Sequence, residues 1–383
     1  MNIAFDAKRA FTNGTGLGHY SRTLIRSLAT FFPGENYFPC TPLITDRFDV
    51  SAFQNIHLIS PTSFTTRNFR KLWRSSLVKT DLQKNNIEIY HGLSHEIPNG
   101  IDKTNIKSIV TIHDLIFERF PDQYNLIDRK IYRYKFQYAC KHANKIIAIS
   151  KQTKDDLVKF YDVPGHKIAV CYQSCDELFF MTVSDKEKER VKKLYNLPDR
   201  FFLYTGSVIE RKNLLVICKA LELLKKKIQI PLVVIGDGSD YKQEVKNFLR
   251  EKNMESLVLF LSEKEDTAQL PAYTMAVDFP AIYQQAICMI YPSVFEGFGI
   301  PVLEALCSKI PVITSNISSL PEAGGEGALY IAPNDFAALA DYMEQMISDK
   351  ELRDSLIEKG WAHAQKFTRE KCAASVMNEY KIL

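Results

Sequence analysis

Residues 295–305 read Phe295-Glu296-Gly297-Phe298-Gly299-Ile300-Pro301-Val302-Leu303-Glu304-Ala305, and they carry the strongest functional pattern in the chain. Pro301 suits the first turn of a helix, because the N–H group that proline lacks would have no partner there. The preceding glycines let a ligand approach the backbone closely, and a helix N-terminus offers N–H groups to an anion. The pattern predicts a loop followed by a helix, with Glu296 in the loop and Glu304 on the first helical turn, both flanking an anionic ligand.

Short apolar runs alternate with helical patterns along most of the 383 residues. This alternation is typical of parallel sheets with helices on both faces, and about two domains are expected for this length. Two series of six strands indicate two doubly wound α/β domains, with a boundary near residues 176–184. The predicted strands are Ile3–Phe5, His57–Ile59, Ile87–His91, Ser108–Ile112, Lys145–Ile149 and Ile168–Cys171, followed by Phe202–Thr205, Leu232–Ile235, Val258–Leu261, Ile287–Tyr291, Val312–Thr314 and Ala328–Ile331.

The composition and the opening residues argue against a nucleic-acid-binding, secreted or membrane-spanning protein. The formal net charge of +4 does not indicate a nucleic-acid partner. The opening residues Met1–Ala7 lack the basic start and long apolar run of a signal peptide, so they are predicted to form the first strand. No apolar run approaches the ~18–20 residues of a membrane span. The 8 scattered cysteines are interpreted as reduced and mostly buried thiols of a cytoplasmic protein.

The string Glu-Gly-Phe-Gly-x-Pro-x-x-Glu-Ala at residues 296–305 resembles the Glu-x7-Glu signature of retaining glycosyltransferases with the GT-B fold, family GT4. The resemblance covers nearly the whole chain and implies two Rossmann-like domains with a cleft between them. It implies an acceptor-side domain at residues 1–178, a nucleotide-sugar-binding domain at 179–360, and a helix at 361–383 that crosses back to the first domain. It also implies that Glu296 contacts the transferred sugar and that Glu304 holds the nucleotide ribose.

Two further motifs of the first half lie at strand ends, where open α/β sheets bind ligands. Gly14-Thr15-Gly16-Leu17-Gly18 precedes a helical pattern and matches the family's N-terminal glycine loop, which implies donor contacts at Gly16 and Gly18. Its spacing differs from the dinucleotide fingerprint, which argues against an NAD-dependent oxidoreductase. His113 matches the family's histidine that contacts the transferred sugar, and His91 and His95 are acceptor-side candidates.

In the second half, Gly206-Ser207-Val208-Ile209-Glu210-Arg211-Lys212-Asn213 follows a predicted strand. Arg211 offers a planar fork and Lys212 a compact point charge, and both suit a diphosphate. Their family counterparts neutralise the leaving nucleoside diphosphate. The remaining predicted nucleotide-sugar contacts are Gly206, Gly236, Gly297, Phe298 and Gly299.

We expect neither a metal nor a separate cofactor. The chain contains no Asp-x-Asp pair, the motif with which other glycosyltransferases hold a divalent ion on the diphosphate. Arg211, Lys212 and a helix N-terminus are expected to supply the positive charge instead.

The resemblance implies retaining transfer of a hexose from a nucleotide-sugar to a glycan or lipid-linked glycan in cell-surface polysaccharide synthesis. The opening of the chain looks most like bacterial mannosyltransferases of polysaccharide assembly, so GDP-mannose is the first choice of donor and UDP-sugars stay open. The alternative is a two-lobed protein that binds a nucleotide-sugar without turnover.

Residues Arg67–Lys79 read as an amphipathic helix, with Phe69, Leu72, Trp73 and Leu77 on one face and Arg67, Arg70, Lys71 and Arg74 on the other. It predicts either weak peripheral contact with the inner face of the plasma membrane or an ordinary surface helix packed on the sheet. A second local feature is a repeated Pro-Ala pattern, in which Leu270-Pro271-Ala272-Tyr273 is followed by the similar stretch Phe279-Pro280-Ala281-Ile282-Tyr283. We favour an insertion over a lid edge for this segment.

Overall fold

The computed structural model describes residues 1–62 and 69–383. The chain divides into two compact units, one formed by Met1–Ser174 with Phe367–Leu383 and the other by Cys175–Lys366. Both boundaries lie a few residues from the predicted positions, 178 and 360. The second boundary comes later than predicted because the helix Lys350–Ala364 continues past residue 360 inside the second unit.

The first unit contains a six-stranded, all-parallel sheet with the order β2-β1-β3-β4-β5-β6. Its strands are Asn2–Asp6 (β1), Asn36–Cys40 (β2), Ile89–Gly92 (β3), Lys107–Ile112 (β4), Lys145–Ala148 (β5) and Ile168–Val170 (β6). Every residue of 108–112 is fully buried, as expected for a strand covered on both faces. The α-helices are Lys8–Thr12 (α1), Gly16–Phe31 (α2), Arg70–Leu72 (α3), Val78–Lys84 (α4), Ile116–Arg119 (α5), Leu126–His142 (α6) and Lys151–Tyr161 (α7).

The second strand differs from the sequence prediction. Residues His57–Ile59 were predicted to form it, but the strand is Asn36–Cys40, and Ile56 and Ile59 make only isolated bridges to its outer side. Pro39 lies within β2 and cannot donate to a ladder, which weakens the strand pattern of this segment.

The second unit contains another all-parallel sheet, in the order β12-β11-β10-β7-β8-β9. Counted within the unit, this is the 3-2-1-4-5-6 order of Rossmann folds, read from the opposite edge. Its strands are Phe202–Thr205 (β7), Leu232–Ile235 (β8), Val258–Phe260 (β9), Met289–Tyr291 (β10), Val312–Ser315 (β11) and Ala328–Ile331 (β12). Its α-helices are Asp185–Leu194 (α8), Leu214–Leu224 (α9), Asp240–Glu251 (α10), Glu265–Ala268 (α11), Pro271–Thr274 (α12), Phe279–Tyr283 (α13), Ile300–Cys307 (α14), Leu320–Gly324 (α15), Phe336–Ser348 (α16) and Lys350–Ala364 (α17).

The last helix, Arg369–Lys381 (α18), belongs to the first unit. The Tyr380 hydroxyl lies 2.6 Å from Nδ1 of the buried His91, and Arg369 Nε donates to Ser27 Oγ at 3.1 Å. The implied return of the C-terminal helix to the first domain is therefore confirmed.

The predicted amphipathic helix is only partly correct, and its first residue, Arg67, lies outside the described residues. Between α3 and α4 the backbone forms a π-helical segment, Trp73–Leu77. Trp73 is 1% exposed and its indole N–H donates to Asp81 at 2.7 Å, so it packs inward. Arg74 also turns inward, to two carboxylates of the same unit. Phe69 and Leu72, in contrast, are exposed and do not pack on the sheet.

Within residues 1–62 and 69–383, no helix combines the length and apolar character needed to cross a membrane. All 8 cysteines are buried and none forms a disulfide. Burial raises the pKa of the Cys140 thiol to about 12, so such a group stays protonated at neutral pH.

Candidate active site

In the second unit, the polar residues of the two strongest motifs follow β7 and β10. These two strands are neighbours in the sheet, although two other strands lie between them in sequence. Such a place is a topological switch point, where the connections of the two strands leave in opposite directions and open a crevice at the carboxyl ends. The topology therefore brings Arg211 and Lys212 to the same edge as Glu296.

Two glycines keep the ends of β7 and β8 free of side chains. Gly206 and Gly236 have φ values of 142° and 138°, which only glycine adopts easily. A Cβ atom at Gly236 would lie 2.0 Å from Gly206 O, and one at Gly206 would lie 2.9 Å from Lys212 Nζ. Glycine at these two positions is thus required by the protein's own packing.

A short 3₁₀ turn, Glu210–Lys212, presents the basic pair. It ends at Asn213, whose φ of 60° is left-handed and whose side-chain amide donates to Pro292 O at 3.2 Å and Pro333 O at 2.7 Å. The amide joins the loop after β7 to the loop after β10. The turn is therefore held in place before any ligand binds.

Glu296 lies at the centre of the cluster. Its Oε1 accepts hydrogen bonds from Arg211 Nη1 at 2.9 Å, Tyr291 Oη at 2.8 Å and Ser293 Oγ at 2.9 Å, and Lys212 Nζ lies 3.8 Å away. Burial alone would raise the pKa of Glu296, but Lys212 and Arg211 outweigh it and hold that pKa below its ordinary value. The carboxylate is therefore ionised at neutral pH.

Lys212 is connected to the same carboxylate through a tyrosine. Its Nζ donates to Tyr291 Oη at 2.7 Å, and that hydroxyl donates onward to Glu296. Burial lowers the pKa of Lys212, Arg211 lowers it further, and Glu296 opposes both. Two cations facing one carboxylate leave a positive site suited to an anion.

The helix α14 begins at Ile300, with Gly299 before it in the left-handed region at a φ of 109°. Glu304 was predicted to lie on the first helical turn. It is the fifth helical residue, so it begins the second turn instead. Its Oε2 accepts a hydrogen bond from Tyr283 Oη at 2.9 Å. Burial raises the pKa of Glu304 to about 7.

Two serines after β11 fix the glycine-rich loop. Glu296 N donates to Ser318 Oγ at 3.1 Å, and Ser319 Oγ donates to Glu296 O at 2.8 Å and Phe298 O at 2.9 Å. Phe298 is 2% exposed, so it anchors the loop in the interior. Its predicted role as a donor contact stays a prediction, and Gly297 lies between two anchored residues.

Sequence reasoning missed several members of this cluster, namely Tyr283, Tyr291, Ser293, Ser318 and Ser319. Tyr291 and Ser293 stand at the carboxyl end of β10, and this position is the signal that could have identified them. Tyr283 comes from the second copy of the repeated Pro-Ala pattern and is fully buried, so this part of the predicted insertion packs in the interior of the second unit.

In the first unit, His113 follows β4 and is 5% exposed. Its Nε2–H donates to Leu93 O at 2.9 Å, and its ring packs edge-on against Tyr20, with 4.6 Å between ring centroids. Burial lowers the pKa of His113 to about 4, so the imidazole is neutral at physiological pH.

The other two histidines behave differently. His91 is completely buried and is held by Tyr380 and by Thr111 Oγ1, which lies 2.7 Å from Nε2. Its position makes His91 a core residue and removes it as an acceptor-side candidate. His95 stacks on Phe136 with 4.4 Å between centroids, beside His113.

The glycine loop of the first unit separates into two roles. A Cβ atom at Gly18 would lie 2.0 Å from Asn13 O, so this glycine is required by the loop itself. A Cβ atom at Gly16 would meet nothing within 4 Å, so the backbone there is open to a ligand. Among residues 1–62 and 69–383, no three His, Cys, Asp or Glu side chains are grouped as metal ligands.

Comparison with known families gives matches in both units. Residues 185–363 match the family described as glycosyl transferases group 1, and residues 37–177 match glycosyltransferase family 4. The two matched segments do not overlap, and together they include every predicted site residue outside the glycine loop.

Relatives and solved structures agree with these matches. The chain is 26% identical to O-antigen chain mannosyltransferase B of Escherichia coli over an alignment of 400 residues, and this alignment covers 100% of both proteins. It is 25% identical to O-antigen chain mannosyltransferase RfbU of Salmonella typhimurium, over 84% of each. The crystal structure of Anabaena HepE in complex with UDP-glucose superposes with a TM-score of 0.73 and 14% identity over 100% of both chains, which shows a shared fold.

Proposed function

The chain belongs to the GT4 group of glycosyltransferases with the GT-B fold, and we propose that it transfers a mannosyl group from a nucleotide-sugar to a glycan or lipid-linked glycan in cell-surface polysaccharide synthesis. The observation that carries the proposal is the Arg211–Lys212–Glu296 cluster at the switch point between β7 and β10. The sugar and the pathway come from the O-antigen mannosyltransferases to which the chain is similar.

The hard step in such a transfer is departure of a nucleoside diphosphate while positive charge grows on the anomeric carbon. Arg211 and Lys212 neutralise the departing diphosphate, and the N-terminus of α14 adds the positive end of its dipole. Glu296 stays ionised because the same two cations lower its pKa. We assign it contact with the transferred sugar.

The transfer proceeds with retention of the anomeric configuration. The acceptor hydroxyl attacks the anomeric carbon on the face from which the diphosphate departs, and a departing phosphate oxygen takes the acceptor's proton. One C–O bond forms and one breaks, so no covalent enzyme intermediate is needed. The neutral His113 of the first unit contributes a hydrogen bond to the sugar, and Glu304 accepts from the ribose hydroxyl groups.

The proposed donor is GDP-mannose and the proposed reaction needs no divalent metal. The similarity to O-antigen mannosyltransferases supports mannose as the sugar, whereas UDP-sugars are competitors because a protein of the same fold was crystallised with UDP-glucose. The basic pair supplies the charge that a metal would otherwise supply.

A thermal-shift panel of GDP-mannose, UDP-glucose, UDP-galactose, UDP-GlcNAc and NAD, with and without EDTA, tests the donor. A ligand that binds only the folded state raises Tm, so GDP-mannose should give the largest shift in both conditions. A larger shift with a UDP-sugar would replace the donor, and a shift only with NAD would point to an oxidoreductase. Proton NMR of the product linkage tests retention.

The acceptor-side unit is also proposed to make weak contact with anionic lipid. Phe69 and Leu72 are 62% and 50% exposed, next to the exposed cations Arg70 and Lys71. Exposed apolar and basic side chains together bind anionic interfaces. Flotation with anionic vesicles at low salt should be lost in the double variant Arg70→Gln/Lys71→Gln. Flotation that the double variant retains, or that the parent protein lacks, would show that this surface does not bind lipid.

A further inference from the structure

The second unit contains a cavity of about 360 Å³ at the amino ends of its strands, within the ~300–1,000 Å³ range of small-molecule sites. It is lined by residues that precede the neighbouring strands β7, β10 and β11, and by residues of α16 and α17. The candidate active site follows the carboxyl ends of the same parallel strands. The cavity therefore lies at the opposite end of the sheet, and none of the residues assigned to the donor lines it.

The charged residues that line the cavity are all cations, namely Arg200, Lys309 and Arg353, and no described carboxylate lines it. Arg200 and Lys309 are exposed, so the cavity opens to solvent beside them. The acidic neighbours of the two arginines, Asp199 and Asp354, are each paired with another lysine, at 2.6 and 2.7 Å. A concave surface lined by charges of one sign attracts the opposite charge, so this cavity favours an anion.

Arg353 is fixed in place by the end of α16. Its Nη1 donates to Met346 O at 2.8 Å and to Ile347 O at 3.2 Å. A guanidinium carries five N–H donors, and those on Nε and Nη2 make no hydrogen bond within the part of the chain that the structure describes. A held guanidinium with such donors suits the fork-like recognition of a phosphate group.

Lys309 occupies a backbone position at which glycine is usual. The helix α14 ends in a Schellman motif, in which Ile310 N donates to Ala305 O at 3.1 Å. In the same motif Lys309 N donates to Leu306 O, also at 3.1 Å. The φ value of Lys309 is 58°, a left-handed conformation that glycine adopts without the steric cost of a Cβ atom. Lysine at this position brings an ammonium group to the cavity despite a strained backbone, a combination typical of functional sites.

The remaining wall of the cavity is largely apolar. It is formed by Ile287, Ile310, Pro311, Met346 and Ile357. Ligand sites commonly combine an apolar wall with a few charged groups that fix the orientation of the ligand. This lining therefore suits a small organic molecule that carries a phosphate group.

We propose that this cavity binds a small phosphorylated molecule, whose phosphate is held by Arg353, Lys309 and Arg200 and whose organic part lies against the apolar wall. The Lys309 ammonium now lies 4.7 Å from the centroid of the Trp361 ring, and it leaves this cation–π contact to meet the phosphate. The site is independent of the proposed function, because none of its residues takes part in the proposed transfer.

The emission of Trp361 tests the inference, because the chain has only 2 tryptophans and Trp73 lies in the first unit. Titration of the full chain with inorganic phosphate and with ribose 5-phosphate should change the emission along a saturable curve, with the lower Kd for ribose 5-phosphate. Ribose, which lacks the phosphate, should give no change. Trp361→Phe should abolish the change, which would place the signal at this cavity.

Variants of the cations identify the groups that hold the phosphate. Arg353→Gln should raise the Kd of ribose 5-phosphate roughly 10-fold, as expected for loss of a hydrogen bond to a charged group. Arg200→Gln should raise it roughly 3-fold, because the side chain is exposed, and Arg200→Lys should bind like the parent. Lys226→Gln, at an exposed lysine of the same unit outside the cavity, is the matched control. Lys212→Ala should also leave the Kd unchanged, because Lys212 belongs to the active site.

A thermal scan shows which variants are folded, and Arg200→Gln decides the outcome if Arg353→Gln is not. No response of Trp361 to either phosphate probe, an equal response to ribose, or an unchanged Kd in the folded variants would overturn the proposal. A response lost in Lys212→Ala would assign the phosphate to the active site instead. Vesicles of phosphatidylglycerol present the same phosphate chemistry on a lipid, and a response to these vesicles alone would replace the small molecule with a lipid headgroup.

Discussion

Glu296 and Glu304 carry the same chemical group in opposite environments. Glu296 faces two cations and three hydrogen-bond donors, and its pKa is lowered. Glu304 has one hydrogen bond, from Tyr283, and burial raises its pKa to about 7. At neutral pH Glu296 is therefore a fixed negative charge, whereas Glu304 is protonated in a sizeable fraction of molecules until a ligand arrives.

At this scale the first prediction concerns the basic pair. Arg211→Ala and Lys212→Ala should each lower kcat/KM by roughly 10²–10³-fold, because one charge-assisted contact with the leaving group contributes about 2.7–4 kcal/mol. Steady-state kinetics with GDP-mannose gives the loss, and Tm shows that folding is retained. Lys226→Ala, at an exposed lysine of the same unit, is the control and should behave like the parent protein. Near-normal turnover in both variants would contradict the site assignment.

The second prediction concerns the pH dependence of donor binding. If the ionised form of Glu304 accepts from the ribose, affinity for GDP-mannose should rise as pH increases through about 7. Calorimetric titration between about pH 6 and 8.5 measures this. The folded pKa lies above the unfolded value, so for this acid the contribution to stability falls as pH rises between the two values. Glu304→Gln removes the titrating group, and a pH dependence that persists in this variant would assign it to another residue.

Part of this site could be read from local motifs. Glu296, Arg211 and Lys212 lie in short motifs that contain glycine or proline. These residue types restrict the backbone conformation, so the local geometry of the motifs could be predicted from the sequence. Tyr283 could not be found in this way, because it reaches Glu304 only through folding. His91 was misread for the same reason, since its partner Tyr380 is 289 residues away in sequence.

At the scale of single elements, the segment from α3 to α4 shows the limit of predicting side-chain burial from hydrophobic periodicity. A period of 3.6 residues places Trp73 with Phe69 and Leu72, but Trp73, the first residue of the π-helical segment, is buried while Phe69 and Leu72 are exposed. Arg74, the next residue, contacts Asp6. The sequence pattern contains no sign of this, because a π segment is stabilised by the contacts it makes in the folded unit.

The third prediction follows from that burial. Arg74→Gln should lower the free energy of unfolding by about 3–5 kcal/mol, since it leaves Asp6, which is 2% exposed, without its cation. Arg70→Gln, on the exposed side of the same segment, should stay within about 0.5 kcal/mol of the parent. Urea unfolding followed by circular dichroism measures both. Equal stability of the two variants would mean that the buried ion pair contributes nothing.

Across the whole molecule, both sheets follow the same rule of topology. Each sheet is parallel throughout, and each has a switch point, between β1 and β3 in one unit and between β7 and β10 in the other. Strand alternation predicted this architecture, and the strands of the second unit lie where they were predicted to within two residues. The place of α18 could not be read from local sequence, because a helix pattern does not say which unit it packs on.

The last prediction concerns the switch point between β7 and β10. Hydrogen exchange with GDP-mannose should slow in the loop after β7 and at the start of α14, where backbone amides meet the diphosphate. A ligand slows exchange in the region that it contacts, because it stabilises that region against local opening. The Lys212→Ala variant, which lacks one of the two cations of this crevice, should lose most of the protection. Protection that this variant keeps in full would show that Lys212 does not hold the diphosphate.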